Sequence, residues 1–491
     1  MGQHPLSRRI ADVLDLQPSA PAIEYDGRWL SWGQIGDAAR RMASVTAEHR
    51  DNPAIGMLLR NRPGQVAAFL GVLVGGGTVV TINPSRGDER TRADIAALQL
   101  PLVVGEPDDL ATLVAPGTPT MPISGRLADP GESVGHHDGP TAATPIAVRM
   151  LTSGTTGPAK RIDLSYDMLA RSVMGTDPDQ APQELRRGVA IMNSPLVHIG
   201  GVFRVLQCVT EARSFVLLER FELNAWAQAV RTHRPRAVSL VPAALRTVLH
   251  SDLSRADLDG IRAVTCGTAP LSADDADAFT EKYGIPVLTS YAATEFGGGV
   301  AGWTLADHQK HWIAKRGSVG RANPGAQLRV VDDAGTPLGA DQVGLLEVKP
   351  AQLGCSVQWM RTTDLARIDA DGFLWIVGRA DQAIIRGGFK VMPDDVRVAL
   401  ESHPAVAGAA VIGRPDARLG ETPVAMVELR DSPDTDTDAL VDYLRTRLAR
   451  YEIPTKIAIV GAIPRTPSGK ADLSEIRRYF DESAAQRDHA R

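Results

Sequence analysis

A short segment rich in glycine and hydroxyl side chains carries the strongest chemical signal in the sequence; it reads MLTSGTTGPAKR from Met150 to Arg161. Glycine lets backbone N–H groups approach an anion closely, and serine and threonine hydroxyls add further hydrogen-bond donors. Two residues separate Gly157 from Lys160, so the spacing differs from that of a Walker A motif, in which lysine directly follows glycine. The segment predicts a phosphate-binding loop formed by Thr152, Ser153, Gly154, Thr155, Thr156, Gly157 and Lys160.

Lysine is rare in this chain, which has 8 lysines among its 53 basic residues. Three of the eight, Lys160, Lys390 and Lys470, lie in glycine-containing motifs. The lysine ammonium is a compact point charge, whereas the arginine guanidinium is a planar fork, so the two residues are not interchangeable. In a chain this rich in arginine, we expect lysine to occupy positions where a compact charge is needed.

The loop and three further motifs resemble those of the ANL superfamily of adenylate-forming enzymes, which includes acyl- and aryl-CoA synthetases, nonribosomal adenylation domains and luciferases. SYAATEFGGG (290–299) resembles the aromatic-x-x-Thr-Glu motif of that superfamily. RTTDLARIDADGFLWIVGRADQAIIRGGFK (361–390) and IPRTPSGK (463–470) follow in the same order as in the superfamily. The resemblance extends from about Ile23 to Arg478 and predicts an ATP-dependent, AMP-forming ligase.

The resemblance implies a nucleotide site. Tyr291 would offer a face to adenine, Thr294 would bond a phosphate oxygen, and Glu295 would hold Mg²⁺, a cation that prefers oxygen ligands. Asp364 would accept hydrogen bonds from both ribose hydroxyls, as a carboxylate is able to do, and Arg379, fifteen residues later, would bind the ribose or a phosphate. The CGTAP segment resembles an adenine-binding strand end and contributes Gly267, Thr268 and Ala269.

The resemblance also implies two successive half-reactions. Lys470 would bridge the acid and the α-phosphate while pyrophosphate leaves, and the small domain would then turn about a hinge at Asp381. Gly387 and Gly388 would line the tunnel through which coenzyme A delivers its thiol. The predicted activity is therefore formation of an acyl-adenylate from a small carboxylic acid, followed by transfer to coenzyme A.

The predicted acid pocket is small and apolar, which favours an uncharged aryl or acyl tail. By position in the resemblance it comprises His198, Ile199, Gly200, Cys266, Ala292, Gly297 and Gly298. A single histidine is more often structural than catalytic, so His198 is assigned a catalytic role by position alone. Segment 198–201 contains no aspartate, which disfavours an amino acid substrate.

Apolar helical stretches alternate with short β-branched runs, which predicts an α/β fold with largely parallel sheets. We expect a large N-terminal domain over residues 1–378 that includes a small β-subdomain, a hinge at 379–382, and a small mobile α+β C-terminal domain over 383–491. Residues 105–145 have the composition of a surface connection. The apolar stretch from Val66 predicts a buried helix followed by a strand, and the segment TDALVDYLRTRLARYEIP predicts a helix that ends at Pro454.

Composition excludes several other classes of protein. A formal net charge of -5 gives no basic surface for nucleic acid, and no polybasic segment is present for an anionic membrane. The three cysteines have no metal-ligand spacing, and the N-terminus lacks the apolar core of a signal peptide, so we expect reduced thiols, no membrane span and a cytoplasmic protein.

Several alternatives remain open at this point. The activated acid, or an unusual oxyacid, could pass to a carrier protein, to an amine or to another small nucleophile, and the acceptor distinguishes these from a coenzyme A ligase. A catalytically silent nucleotide-binding protein is a different class. The presence of Lys470, Glu295 and Asp364 argues against it.

Overall fold

The computed structural model describes residues 3–49, 51–85, 88–127, 144–152, 160–175, 180–387, 389–416, 418–430, 435–466 and 469–488. In chain order its helices are α1 Pro5–Leu16, α2 Trp32–Glu48, α3 Pro63–Val74, α4 Asp88–Leu98, α5 Pro107–Leu113, α6 Tyr166–Met174, α7 Ile199–Thr210, α8 Leu223–His233, α9 Pro242–Leu249, α10 Ala273–Tyr283, α11 Leu305–His311, α12 Pro393–Glu401, α13 Thr437–Arg445 and α14 Leu473–Asp488. The strands are β1 Pro21–Tyr25, β2 Arg28–Ser31, β3 Ala54–Leu58, β4 Thr78–Ile82, β5 Leu102–Gly105, β6 Thr120–Pro122, β7 Ile146–Thr152, β8 Lys160–Ser165, β9 Arg186–Met192, β10 Arg213–Leu217, β11 Ala237–Leu240, β12 Ala263–Cys266, β13 Val287–Ala293, β14 Gly298–Gly302, β15 Arg321–Ala322, β16 Gln327–Val331, β17 Gly344–Lys349, β18 Met360–Ile368, β19 Leu374–Arg379, β20 Ile384–Arg386, β21 Phe389–Val391, β22 Val406–Asp416, β23 Gly420–Leu429 and β24 Lys456–Val460.

Two helices near the N-terminus illustrate how the sequence sets the core. Helix α2 begins with a capping box, in which the Gln34 N–H donates to Ser31 Oγ at 3.2 Å and the Ser31 N–H donates to Gln34 Oε1 at 2.9 Å. Helix α3 is buried on every side from Pro63 to Leu73, as expected of a helix that is apolar all round. The two helices pack closely at Gly71, where a Cβ would lie 2.3 Å from the Ala39 carbonyl oxygen.

Among the described residues, three sheets of the large N-terminal part contain parallel strands. A six-stranded sheet has the order β6-β5-β3-β4-β7-β8, a four-stranded sheet has the order β2-β1-β10-β9, and a five-stranded sheet has the order β11-β12-β13-β14-β15. Most neighbouring strands in the first sheet are parallel, and β7–β8 is its antiparallel pair. Ligands of α/β sheets bind outside the carboxyl ends of parallel strands. The ends of β12 and β13 are therefore expected to face a site.

A smaller antiparallel sheet completes the N-terminal part, and the C-terminal part follows it. The smaller sheet has the order β16-β17-β18-β19, and its β18–β19 pair places Asp364 opposite Arg379. The C-terminal sheet has the order β21-β20-β23-β22, with β24 parallel to β23. Helices α12 and α13 pack on one side of this sheet around Leu400, Leu440 and Leu444. This part of the chain thus has a hydrophobic core of its own.

The α/β fold with a large N-terminal domain and a smaller C-terminal domain confirms the prediction from the sequence. The helix and strand expected after Val66 are α3 and β4. The exact limits of the hinge at 379–382 stay a prediction; these residues cover the end of β19 and a short 3₁₀ turn, Ala380–Gln382.

Two predictions about local structure were wrong. Residues 105–122 are not a simple surface connection, because they form α5 and the edge strand β6, with Leu110 and Leu113 of α5 buried. Helix α13 ends at Arg445 and not at Pro454. Tyr451 instead stacks on Phe389 with 4.7 Å between ring centroids, so the chain leaves the helix to bring this ring to β21.

The three cysteines carry free thiols; Cys208 and Cys266 are buried, and Cys355 is exposed. Among the described residues, no helix is both long enough and apolar enough to cross a bilayer.

Candidate active site

A cleft of about 3810 Å³ runs between the large N-terminal part and the C-terminal part of the chain. The ends of β12 and β13, the first turns of α7, and β18 and β19 contribute to its wall from the N-terminal part. The loop before α14 contributes Lys470 from the C-terminal part. The cleft therefore brings together motifs that lie more than 200 residues apart in the sequence.

One corner of the cleft joins Tyr291, Asp364 and Arg379. The Tyr291 hydroxyl donates to the Asp364 carboxylate. Arg379 donates to both carboxylate oxygens of Asp381, at 2.9 and 2.7 Å, and to Thr363 Oγ1 at 2.6 Å. Burial raises the pKa of Asp364, although the Tyr291 hydrogen bond and the Arg379 charge oppose this rise. Hydrogen-bond donors such as ribose hydroxyls would favour the ionised form of this carboxylate.

Tyr291 has contacts that the prediction of a ring face for adenine did not include, and that predicted role stays a prediction. Its ring is half-buried, lies 6.0 Å from the Phe296 ring centroid, and directs its hydroxyl to Asp364. Burial and the neighbouring carboxylate raise the pKa of Tyr291, so the hydroxyl keeps its proton and remains a donor. Tyr291 therefore orients the carboxylate that is predicted to bind ribose.

Lys470 enters the same corner from the C-terminal part. Its loop is held by the Thr466 N–H, which donates to the Lys470 carbonyl at 2.7 Å, and by an isolated bridge between Arg465 and Ala471. The side chain keeps much of its surface accessible, yet protein atoms surround the ammonium closely enough to disfavour its charge. This desolvation and Arg379 lower the pKa of Lys470.

Asp364 and Glu295 act on Lys470 in the opposite direction and raise its pKa. The ammonium thus lies within electrostatic reach of both carboxylates. This arrangement fits a site prepared for a polyanion, because bound phosphates would favour the charged lysine.

Thr294 and Glu295 lie on a 3₁₀ turn, Thr294–Phe296, that directly follows β13. Phe296 is buried and anchors the turn, whereas Glu295 is exposed and lines the cleft. The part of the chain that the structure describes contains no group of three or more histidine, cysteine or acidic residues able to hold a metal ion. A single accessible carboxylate still fits Mg²⁺, since this ion is commonly held by one or two carboxylates together with substrate phosphates.

The predicted adenine-binding segment follows β12. Gly267, Thr268 and Ala269 all line the cleft. Thr268 has a φ of 78°, in the left-handed region that costs a non-glycine residue about 1–3 kcal/mol. Strained residues of this kind concentrate at functional sites, which agrees with the placement of this turn in the cleft wall.

Most of the predicted acid pocket lies together on the cleft wall. His198 precedes α7, and Ile199 and Gly200 lie in the first turn of that helix. Burial raises the pKa of the Cys266 thiol to about 12. The members that line the cleft are His198, Ile199, Gly200, Cys266, Ala292 and Gly298. Gly297 is buried and does not line the cleft. It packs against Met168, whose Sδ would lie 2.4 Å from a Cβ at this position.

Parts of two predicted sites lie outside the described residues. These are residues 153–159 of the phosphate loop, hence Ser153, Gly154, Thr155, Thr156 and Gly157, together with Gly388 of the coenzyme A tunnel. The backbones of Thr152 and Lys160 pair across β7 and β8, the strands that flank the loop. Gly387, with a φ of 56°, follows β20 and donates its N–H to the Leu419 carbonyl at 2.7 Å. The roles of these residues stay predictions.

The cleft also contains polar residues that the sequence motifs did not indicate. Arg204 and Gln207 lie on the side of α7 that faces the cleft, and Thr265 lies on β12 beside Cys266. The sequence pattern that could have indicated Arg204 and Gln207 is their helical spacing from Gly200, which places the three positions on one face of a helix. This pattern does not show which way that face points, so it could not place these residues in the cleft without the structure.

A largely buried ionic network joins the two parts of the chain at one side of the cleft. Arg246 of α9 donates to Asp275 at 2.7 Å and to Glu401 of α12 at 3.1 Å, and Arg397 donates to Glu401 at 2.6 Å. The side chains of Arg246 and Glu401 are only 12% and 8% exposed. Nearby, His250 and Arg430 form a second contact between the two parts, with 3.2 Å between their nitrogen atoms. These contacts accompany the arrangement in which Lys470 faces the cleft.

Comparison with known proteins identifies the family of this chain. The model of the AMP-binding enzyme family matches residues 11–354, and that of the AMP-binding enzyme C-terminal domain matches residues 396–470. The chain is 32% identical to 4-coumarate--CoA ligase-like 8 from Arabidopsis thaliana over 68% of its own length and 62% of the length of that protein. It thus spans less than two thirds of that relative.

Other relatives match along nearly the whole chain. Feruloyl-CoA synthase from Amycolatopsis sp is 27% identical, with 95% of this chain and 97% of that protein covered. The solved structure of amide bond synthetase McbA from Marinactinospora thermotolerans superposes with a TM-score of 0.79 at 25% identity, covering 98% of this chain and 100% of that chain. Together with the matched family models, these similarities establish that the chain belongs to the adenylate-forming family of AMP-binding enzymes.

Proposed function

We propose that this protein activates a carboxylic acid with ATP to form an acyl-adenylate and pyrophosphate, and then transfers the acyl group to coenzyme A. The observation that carries the proposal is the convergence of Lys470, Glu295, Asp364 and Arg379 in one cleft. These residues come from different parts of the sequence and supply the charges that recognition of a nucleoside triphosphate and a carboxylate requires.

In the first half-reaction, a carboxylate oxygen of the acid forms a bond to the α-phosphorus of ATP. The bond between that phosphorus and the bridging oxygen of the β-phosphate breaks, and pyrophosphate leaves with the electron pair. Lys470 holds its ammonium near the incoming carboxylate and the α-phosphate, where it stabilises the negative charge that accumulates in the transition state. Asp364, oriented by Tyr291, holds the ribose, and Arg379 supports the same corner.

Mg²⁺ is proposed as the partner of the ATP phosphates, and its chemistry is neutralisation of phosphate charge. Glu295 is the residue that would hold it, since its carboxylate is exposed in the cleft. Thr294, on the same 3₁₀ turn, would donate its hydroxyl to a phosphate oxygen. The 153–159 loop would supply further backbone donors to the phosphates.

In the second half-reaction, the thiol sulfur of coenzyme A bonds to the acyl carbonyl carbon, the bond from that carbon to the AMP oxygen breaks, and the thiol proton passes to solvent. A rotation of the C-terminal domain about Asp381 would withdraw Lys470 and bring Gly387 and Gly388 to the cleft. In the sequence, Ile385 and Phe389 lie on either side of these glycines, and their apolar side chains are exposed. Exposed apolar side chains fit a surface that becomes covered in another domain arrangement.

The names of the relatives support this reading and leave one alternative. Two of the relatives carry the names of a coumarate–CoA ligase-like protein and a feruloyl-CoA synthase, whereas McbA is an amide bond synthetase. An amine acceptor in place of coenzyme A is therefore the second candidate. The proposed location is the cytoplasm, where reducing conditions would keep the exposed Cys355 as a thiol.

The test measures pyrophosphate and AMP release over a panel of aryl, short-chain and medium-chain acids, each with and without coenzyme A. We expect AMP release that requires one acid class and rises sharply with coenzyme A. Acid-dependent pyrophosphate release that is indifferent to coenzyme A, but rises with an amine, would establish the alternative acceptor. Absence of pyrophosphate release with every acid would overturn the proposed activity.

A further inference from the structure

Helix α7 carries a cation into the cleft wall beside the predicted acid pocket. Arg204 Nη1 donates to Gln207 Oε1 at 3.0 Å, and Arg204 Nη2 donates to Thr265 Oγ1 at 3.4 Å. Thr265 directly precedes Cys266, a predicted acid-pocket residue, and Arg204, Gln207 and Thr265 all line the cleft. The guanidinium therefore lies at the pocket and not on an outer surface.

The immediate partners of Arg204 are neutral. Within the described ranges, no carboxylate forms an ion pair with its guanidinium. The Cys208 thiol and, after it, Glu211 act to raise the pKa of Arg204. Glu211 accepts a hydrogen bond from Gln207 Nε2 at 3.2 Å and is separated from Arg204 by that amide. Glu211 is also paired with Arg186 and lies 3.6 Å from Arg213, so its charge is already offset.

The surroundings of Arg204 leave its charge undercompensated. The side chain lies deep among protein atoms, and this desolvation lowers its pKa; Arg213 acts in the same direction, and the opposing effects of Cys208 and Glu211 do not offset it. A guanidinium has five N–H donors in a planar fork, and the hydrogen bonds to Gln207 and Thr265 use two of them. Part of the residue surface stays accessible at the cleft, where remaining donors have room for a ligand.

We propose that the acid activated by this protein carries a second carboxylate, which binds to Arg204 with support from Gln207 and Thr265. A carboxylate matches the guanidinium fork and supplies the charge that the protein itself does not place there. This inference rests on the proposed function, since it identifies the substrate class of the same site. It differs from the expectation of an uncharged tail, which followed from the small and apolar residues of the pocket alone and stays a prediction.

A purely structural role for Arg204 is the competing explanation. In that case its two hydrogen bonds would only tie α7 to β12, and its replacement would impair all substrates equally. The two explanations differ in how the effect of a substitution depends on the substrate. Matched pairs of acids therefore separate them.

The experiment compares dicarboxylic acids with their monomethyl esters as substrates for pyrophosphate release, using the wild type, Arg204→Gln and Arg204→Lys. The wild type should prefer the best diacid over its ester by about 100-fold in kcat/KM. Arg204→Gln should lower kcat/KM for the diacid by roughly 10–150-fold, as expected for loss of a charge-assisted hydrogen bond, and change the value for the ester less than threefold. Arg204→Lys should recover part of the diacid activity.

Arg186→Gln is the matched control, because Arg186 also pairs with Glu211, does not line the cleft and is not among the charges that act on Arg204. It should leave the preference for the diacid unchanged, and thermal unfolding of all variants checks that the fold is intact. Equal losses for diacid and ester in Arg204→Gln, or turnover of neutral monoacids with no diacid accepted, would overturn the inference while leaving the adenylation activity in place. Absence of pyrophosphate release with any acid would overturn the proposed function itself.

Discussion

The contact between Arg246 and Glu401 predicts a specific effect on one half-reaction. The two residues belong to different parts of the chain, and their bond forms in the arrangement that places Lys470 in the cleft. Glu401→Gln removes the charge of this partly buried acceptor while keeping its shape. We expect adenylation to slow, and thioester formation from pre-made acyl-adenylate to be retained or accelerated, because the domain equilibrium moves away from the adenylation arrangement.

The size of the effect follows from the hydrogen bond that is lost. A hydrogen bond to a charged group contributes about 1.5–3 kcal/mol, which corresponds to roughly a 10–150-fold change in an equilibrium constant. Arg246 keeps its 2.7 Å bond to Asp275, and Arg397 keeps its 3.0 Å bond to Asp394, so neither arginine is left without a carboxylate. We therefore expect the adenylation rate to fall toward the lower end of this range.

Single-turnover pyrophosphate release measures the first half-reaction, and thioester formation from synthetic acyl-adenylate measures the second. Asp442→Asn is the control, because Asp442 forms an exposed pair with Arg445 inside the C-terminal part and should affect neither step. Arg246→Gln breaks the same contact from the other side, and the double variant should lose no more than the stronger single variant. Strictly additive losses, or equal losses in both half-reactions, would refute the role of this contact in selecting the domain arrangement.

Three further predictions test other parts of the account. Asp364→Asn should raise the KM for ATP by about 100-fold and leave the KM for the acid nearly unchanged, because the ribose loses one charged hydrogen-bond acceptor. An unaltered KM for ATP would exclude ribose binding by Asp364. Its surroundings lower the pKa of Lys470, so adenylation kcat/KM should decline as the pH rises through a value below the pKa of a free lysine, about 10.4. An active Lys470→Arg variant should lose this alkaline decline. The same decline in that variant would show that another group causes it. Gly71→Ala should lower the free energy of unfolding by about 1–3 kcal/mol, because its Cβ would lie 2.3 Å from the Ala39 carbonyl oxygen. Gly461→Ala should not lower it, because a Cβ there would have open space around it. Equal thermal unfolding of the two variants would contradict the close packing of α2 and α3.

The sequence was sufficient to predict the fold class, and most of the described residues that it assigned to the site line the cleft. Helix–strand alternation reflects the periodicity with which each element buries its apolar side, so it can be seen without a structure. The loop before α14 and the turn after β13 could be placed by their residue types, and the structure brings Lys470 and Glu295 to the same cleft. Their chemistry depends on a few side chains with distinctive types and spacing.

Other features depend on contacts that a linear pattern does not encode. Segment 105–122 has a loop-like composition, but Leu110 and Leu113 give α5 a buried side. Arg204 is one more arginine in an arginine-rich chain until the packing of α7 turns it toward Thr265. The bond between Arg246 and Glu401 joins positions 155 residues apart and could not be inferred from either segment alone.

The central claim is that Lys470 serves adenylation specifically, and the two half-reactions of Lys470→Ala test it most directly. Single-turnover pyrophosphate release should fall by about 100–1000-fold, as expected when a group that stabilises transition-state charge is removed. Thioester formation from pre-made acyl-adenylate should remain within a few fold of the wild type, because the lysine would be withdrawn from the cleft in that step. Equal losses in both half-reactions, or undiminished pyrophosphate release, would contradict the account.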